Sequence, residues 1–380
     1  MNGLSDEELK RYSRQIILPG IGSTGQRRLK EARVLIVGVG GLGSPVSLYL
    51  AAAGVGRIGL VDHDSVNVSN LQRQVVHSST EIGRSKVSSA ARRLSELNPL
   101  IDVVEYDEPF TSASAERIAE GYDLIVDGTD NFPTRYLIND LSLKMRIPFV
   151  YGAIFRMEGQ VSVFPGKGGP CYRCLFPEPP PPESVLTCDE AGVLGVVPGT
   201  IGTIQATEAV KLILGIGSPL IGRLLVYDAL EMHLETITIT RDRDCPVCHL
   251  PPDEIELIDY QGFCGVPTGV IDLPDEARIT PKGLKELLAS GERVTLLDVR
   301  QPAEWEISHI DGAILIPHDR LRSSLDRLDR NERIVVICHT GVRSARAVLL
   351  LRDAGFSRAL NLEGGLERWR AEVDPSLPDY

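Results

Sequence analysis

Nowhere in this sequence do about eighteen apolar residues follow one another, so no membrane-spanning helix is expected. The opening stretch, MNGLSDEELKRYSRQ, is polar and charged and lacks the apolar run of a secretory signal. A cytoplasmic protein with no membrane contact is the expectation. Basic charge is scarce: 40 Lys and Arg stand against 52 Asp and Glu, for a net charge of −12. That balance argues against nucleic acid as a partner, because phosphate backbones require basic surfaces. Aromatic residues are few, at 5%, yet apolar residues at 43% still supply sizeable cores. Cysteine is also short of a disulfide framework. Seven is an odd number in a chain with no export signal, which favours reduced thiols, metal or catalysis. The 380 residues predict two or three domains.

What is present begins with VLIVGVGGLG, Val34 to Gly43. Val34–Val37 read as a buried strand. Gly38, Gly40 and Gly43 fit G-x-G-x-x-G at the turn into a helix over Ser44–Ala53, and Gly41 removes one more side chain from that loop. Such a turn lets backbone N–H groups and a helix N-terminus approach a phosphate. A second strand, Ile58–Val61, ends at Asp62, where a carboxylate can hold a ribose hydroxyl. These features alone specify a nucleotide, with NAD as the default.

Asp62-His63-Asp64 is then followed by Ser69-Asn70-Leu71-Gln72-Arg73-Gln74 and by Lys86. Hydride transfer needs few cations beyond the pyrophosphate loop. Splitting a triphosphate demands Arg, Lys and Mg²⁺ to neutralise the β- and γ-phosphates. Arg73, Lys86 and the carboxylate Asp130 are groups of the right kind. Further βα units alternate through strands Ile101–Tyr106 and Asp123–Asp127, with helices Arg84–Leu97 and Ala113–Glu120. That rhythm predicts a parallel sheet covered on both faces, with Gly128-Thr129-Asp130-Asn131 at its ligand-binding edge. Phe149–Ala153 and Gln160–Phe164 read as strands, and Thr200–Leu214 as a helix stopped by Gly215. A short helix over Asp6–Gln15 is expected behind Ser5 as N-cap with Glu8 three positions on.

Cys171-x-x-Cys174 and Cys245-x-x-Cys248 offer four soft ligands for a tetrahedral Zn²⁺. The 70 residues between the pairs are too many for a zinc ribbon, so two unrelated thiol pairs stay open on spacing alone. Pro177–Glu183 holds five prolines in seven residues and reads as an extended loop, with Cys188 just beyond it. Cys264 reads as a structural thiol. Near the C-terminus a strand over Arg333–Ile337 delivers Cys338 into the loop Cys338-His339-Thr340-Gly341-Val342-Arg343, with a helix after it. Backbone N–H donors gathered there favour negative charge on sulfur. The same geometry serves sulfur transfer or a cysteine phosphatase.

GVGGLGS, the D-x-D-x-V-x-x-SNLQRQ run, Lys86 and GTDN resemble the adenylyltransferases of the ubiquitin-activating superfamily. The nearest are the molybdopterin-synthase adenylyltransferase and its thiamine-pathway relative. Asp298-Val299-Arg300, His309-Ile310, Gly312-Ala313 and the six-residue cysteine loop resemble a rhodanese domain, with Ser308 where that family usually has Gly. The resemblance implies an α/β fold: a Rossmann-like ATP-binding domain with a mostly parallel sheet over residues 1–265, a linker over 266–278 and a small α/β rhodanese domain over 279–380. It implies an ATP, Mg²⁺ and Zn²⁺ enzyme that adenylates the C-terminal Gly of a ubiquitin-like sulfur carrier ending in Gly-Gly and then thiolates it.

The nucleotide set it implies is Gly38, Gly40, Gly41, Gly43, Asp62, Asp64, Asn70, Arg73, Lys86, Asp130 and Asn131, with Arg73 and Asp130 also catalytic. Arg14, in R-Y-x-R-Q, is expected to reach the ATP of a second subunit in a homodimer. Cys188 is expected to accept the acyl group, and Cys338 to carry sulfur taken from a cysteine desulfurase or thiosulfate. Asp189 beside Cys188 would raise that thiol's pKa.

Overall fold

The computed structural model describes residues 3–181, 191–265 and 273–378. Cys188, Asp189 and most of the expected linker lie outside the described residues. The described chain divides into two units, one ending at Gly265 and one beginning after it.

The first unit is built on eight strands: β1 Arg33–Val37, β2 Arg57–Asp62, β3 Asp102–Asp107, β4 Leu124–Asp127, β5 Phe149–Phe155, β6 Glu158–Phe164, β7 Arg223–Asp228 and β8 His233–Thr238. Their order is β3-β2-β1-β4-β5-β6-β7-β8. The first five pair in parallel, as the alternating sequence requires. From β5 onward every pairing is antiparallel. The last two strands escape sequence reading, and in β8 all six residues are exposed, so no apolar alternation marks it.

The chain leaves β1 for β2 and β3 on one side and returns to β4 on the other. The carboxyl ends of these parallel strands β1 and β4 therefore meet at a switch in strand order, with Val37 opposite Asp127. The core between sheet and helices is aliphatic, including Val34, Ile36, Leu50, Ile58, Leu60 and Ile201. The expected N-terminal helix keeps its Ser5–Glu8 capping box but stops at Arg11. Tyr12 is the cause: its ring is buried and its hydroxyl accepts from Asn98 Nδ2 at 2.8 Å, which turns the backbone before Ser13–Ile16.

The second unit carries β9 Arg278–Ile279, β10 Val294–Asp298, β11 Ile314–Leu315, β12 Arg333–Ile337 and β13 Ala359–Leu362. All are parallel, in the order β11-β10-β12-β13-β9. Residues of β12 alternate between two cores. Ile334 and Val336 join Val348 and Leu351, whereas Val335 and Ile337 join Leu284 and Trp369. Leu273 and Ala277 are buried in this unit's core. The tail of the expected linker, from 273 on, is therefore folded structure.

Candidate functional site

The glycine turn follows β1. Gly38 sits at φ +90°, and a Cβ there would lie 2.7 Å from the Gly128 carbonyl oxygen. At Gly43 a Cβ would lie 2.0 Å from the oxygen of Gly38. Only glycine allows these two turns to nest against each other. Asp62, ending β2, accepts from the Val39 N–H at 2.8 Å and the Asp64 N–H at 3.0 Å. It braces the loop, and a carboxylate with four acceptor positions still has room for a hydroxyl.

His77 backs the loop from behind, with Nε2 3.1 Å from the Val39 oxygen and Nδ1 2.9 Å from Ser89 Oγ. Burial pushes its pKa down, so the ring is neutral at pH 7. A carbonyl only accepts, which places the single ring proton on Nε2. No motif reading flagged His77.

Lys86 opens the helix Lys86–Leu97 and is only 7% exposed. Its Nζ is 2.8 Å from Asp64 Oδ2. Burial alone would raise the Asp64 carboxyl, but the Lys86 hydrogen bond and charge hold it below the ordinary range. The SNLQRQ run lies over the glycine loop. A Cβ on Gly41 would stand 3.7 Å from Arg73 Cδ, and one on Gly40 3.6 Å from Gln74 Nε2. Arg73 also donates to the Ser69 carbonyl at 3.1 Å. Asn70 accepts from the Asn67 N–H at 3.1 Å, which shapes the run.

After β4, Asp130 is exposed and Asn131 caps the helix Phe132–Met145, its Oδ1 accepting from the Thr134 N–H at 3.0 Å. Beneath them Asp127 is fully buried and accepts from Thr129 Oγ1 at 2.6 Å and Arg135 Nε at 3.2 Å. Arg135 also donates to the Thr129 carbonyl at 3.1 Å, and Gln205 Nε2 donates to the Asp127 carbonyl at 2.7 Å. Asp127, Arg135 and Gln205 thus set the GTDN turn, although sequence reading missed all three. Arg135 stands one turn beyond the Asn131 cap, which is the signal that could have found it. Arg135→Met should strand a buried carboxylate and cost about 3–5 kcal/mol. Thermal unfolding should show a fall in Tm on the order of 10 °C. Arg14 lies exposed on its short helix.

The two cysteine pairs converge. The Sγ atoms of Cys171 and Cys174 are 3.7 Å apart, those of Cys171 and Cys245 3.6 Å, and those of Cys174 and Cys248 3.7 Å. A tetrahedral zinc with bonds of about 2.3 Å requires edges of about 3.8 Å. The four thiols fit that ion, and the unrelated-pairs reading falls. The Cys171 N–H donates to Cys174 Sγ at 3.4 Å and Arg241 Nε to Cys248 Sγ at 3.5 Å, contacts suited to thiolates. Cys264 is buried, and burial pushes its thiol up to about 11, as suits a structural residue.

In the second unit Cys338 follows β12 and is 1% exposed. The Gly341 N–H donates to its Sγ at 3.1 Å, and Ser344 Oγ lies 3.2 Å away. The start of the helix Gly365–Glu372 supports the loop from below. Leu366 N–H donates to the Cys338 carbonyl at 2.9 Å and Glu367 N–H to that of His339 at 3.0 Å. A Cβ on Gly365 would sit 2.4 Å from both carbonyl oxygens. Arg343 makes a fork to Glu304, at 2.7 and 2.6 Å. Arg300 is fully buried against Asp298 and donates to the Ser308 carbonyl at 2.6 Å. Ser308 has φ −161°, an extended backbone that needs no glycine, so its departure from the usual residue costs nothing. Burial lowers the His339 pKa and leaves that ring neutral at pH 7.

Burial would raise the Glu304 carboxyl, yet the Arg343 fork, the Gln301 N–H and nearby cationic charge bring it below its ordinary value. Its ionised pairing therefore stabilises the fold fully above the unfolded pKa of about 4.3 and is lost as pH falls through the lower folded value. Glu304→Gln should lower Tm at pH 7, and the gap from the unsubstituted protein should close at acid pH in melting curves.

The ThiF family matches residues 12–247, and the rhodanese-like domain matches residues 280–372. A probable adenylyltransferase/sulfurtransferase MoeZ of Mycobacterium tuberculosis is 49% identical, covering 100% of this chain and 97% of its own length. The adenylyltransferase and sulfurtransferase MOCS3-1 of Zea mays is 42% identical, over 99% of this chain and 84% of its own. Among solved structures, E. coli MccB with AMPCPP and MccA aligns at a TM-score of 0.58 and 25% identity, covering 66% of this chain and 76% of that one. The fold, the glycine turn with its cations and the cysteine loop agree with these matches: the chain belongs to the ThiF family and carries a rhodanese-like domain.

Proposed function

We propose that the first unit adenylates the C-terminal Gly of a small ubiquitin-like sulfur carrier and that the second unit supplies the sulfur for its thiocarboxylate. The observation that carries this reading is the pair of cations at the glycine loop, with Lys86 almost buried and Arg73 lying over Gly41. A dinucleotide site has no use for them, whereas a leaving pyrophosphate does.

ATP lies along the glycine loop with its ribose at Asp62, bordered by Asp64 and Asn70. Asp130 would hold Mg²⁺, which would supply further charge neutralisation at the phosphates. The carrier carboxylate attacks the α-phosphorus, the bond to the β-phosphate oxygen breaks, and pyrophosphate leaves on Arg73 and Lys86. Arg14 of a second copy completes that cradle. The acyl-adenylate has AMP as a good leaving group.

Cys338 holds the outer sulfur of a persulfide taken from a cysteine desulfurase or thiosulfate. That sulfur attacks the carbonyl carbon, directly or after Cys188 has accepted the acyl group. An external thiol attacks the Cys338 sulfur of the resulting acyl disulfide and expels the thiocarboxylate, and a second thiol reduces the mixed disulfide left on Cys338, so that two thiols depart as a disulfide. One linked chain raises the effective concentration of persulfide near adenylate. Cys171, Cys174, Cys245 and Cys248 hold a structural Zn²⁺ with no open position.

Two further observations support the reading. Phe155, Met157, Leu230 and Met232 are exposed at hairpin tips joined by the Ala229 N–H to the Met157 oxygen, an apolar surface suited to a protein substrate. In a cysteine phosphatase the loop arginine must face the phosphate, whereas Arg343 spends two nitrogens on Glu304.

Incubation of Gly-Gly carriers with this protein, Mg-ATP and thiosulfate tests the proposal. Intact-mass spectrometry should show one carrier exchanging oxygen for sulfur. No adenylate and no pyrophosphate with any carrier would return the site to the dinucleotide reading. Among the described residues no helix is long and apolar enough to cross a membrane.

A further inference from the structure

The first cysteine pair encloses an arginine, Cys171-Tyr172-Arg173-Cys174, and that arginine is 4% exposed. Its guanidinium forks onto Asp140, with Nε at 2.9 Å from Oδ1 and a terminal nitrogen at 2.8 Å from Oδ2. Asp140 is itself 2% exposed. It lies midway along the helix Phe132–Met145, next to Asn139, whose Oδ1 accepts from the Tyr172 N–H at 2.7 Å. Asp140 Oδ2 also accepts from Tyr260 Oη at 2.8 Å. Tyr260 belongs to the chain that follows the second cysteine pair, Cys245 and Cys248. One buried carboxylate therefore grips the segment between two of the thiols and the segment beyond the other two. The Arg173 guanidinium is also sandwiched 4.9 Å from the Tyr136 ring and 4.6 Å from Phe263, which locks its plane.

We infer that Asp140, with Arg173 and Tyr260, is a positioning centre that holds the two cysteine pairs in register for the Zn²⁺ proposed above. None of these three side chains offers a ligand to the ion. They act on it by fixing the backbone from which the sulfurs project. The inference rests on the zinc assignment. A buried ion pair is costly to desolvate and weak evidence of stability by itself. Its placement across both ligand-bearing segments supplies a reason for it: an ion demanding edges of about 3.8 Å tolerates little drift of the chain. Partners one step removed from a metal commonly govern affinity by about 10–100-fold.

The test uses full-length zinc-loaded protein and a chromogenic chelator, with zinc release followed at a temperature well below unfolding. Metal analysis beforehand must find one zinc per chain; a protein that binds none loses the zinc assignment itself, which separates that failure from failure of the present inference. Asp140→Asn keeps the shape and removes the charge, and should speed zinc release about tenfold or more. Arg173→Lys keeps the charge and removes the fork, and should do the same. Tyr260→Phe removes one hydroxyl without stranding a charge, so it folds even where Asp140→Asn does not, and should give a smaller acceleration. Circular dichroism and melting temperature are recorded alongside. If the variants melt earlier but release zinc at the original rate, the network is ordinary core packing and the positioning role is overturned.

Discussion

Lys86→Ala should leave a folded protein whose carrier-dependent ATP–pyrophosphate exchange is reduced on the order of 10²–10³-fold, the usual penalty for removing one preorganised group that stabilises transition-state charge. The ammonium is held before any nucleotide arrives. Its backbone N–H donates to the Asp64 carbonyl at 2.9 Å and its Nζ to the Asp64 carboxylate at 2.8 Å. The side chain is 8% exposed while Asp64 is 56% exposed, so the charge is recruited from the buried partner towards an open one. Deleting it leaves Asp64 in contact with water, which limits the structural damage. The negative charge left beside the phosphates then repels them. Affinity for ATP should fall with turnover, yet kcat should fall further if Lys86 meets charge that develops only as pyrophosphate leaves. Exchange at the original rate would remove Lys86 from the phosphate site. Lys86→Arg should recover part of the loss, since the charge returns in a bulkier form.

The parts of this site that could be read in sequence are those for which spacing expresses geometry. Gly38 and Gly43 are legible because no other residue fits the nested turns. The thiol pairs are legible because a knuckle needs its two sulfurs three residues apart. The residues that stayed hidden act through contacts between distant segments. Asp127 binds Arg135 and Gln205, residues on two different helices, and nothing local distinguishes a buried Gln from a surface one. His77 is neutral and packed between a loop and a helix. Asn70 and Asn131 show how one side chain can also serve the backbone, since both sit in motifs read for nucleotide contacts and each amide oxygen accepts a backbone N–H. In the fold, the parallel half follows from βα alternation, whereas β7 and β8 needed knowledge of what pairs with β6. The capping box at Ser5 was visible, but the break at Tyr12 was not, because its cause, Asn98, is remote in sequence.

Cys338→Ala should abolish sulfur transfer to the carrier and leave pyrophosphate exchange unchanged. The carrier mass should then stop at the adenylate, or at oxygen-only hydrolysis products. Loss of transfer should be complete because no other group described in this unit can hold a sulfane sulfur at the same place. Ser344 Oγ is 3.2 Å away, but oxygen forms no comparable persulfide. The loop should survive the change. Its shape comes from Gly341 at φ +90°, from the Leu366 and Glu367 N–H bonds to the carbonyls of Cys338 and His339, and from the Arg343–Glu304 fork. None of these uses the thiol. The Gly341 N–H does lose its acceptor, a cost of about 1–3 kcal/mol unless water replaces the sulfur. Cys338→Ser keeps a polar acceptor there and should match the alanine variant in sulfur transfer while melting higher. Loss of pyrophosphate exchange in either variant would mean that the cysteine loop also serves adenylation, and the division of labour between the two units would fail.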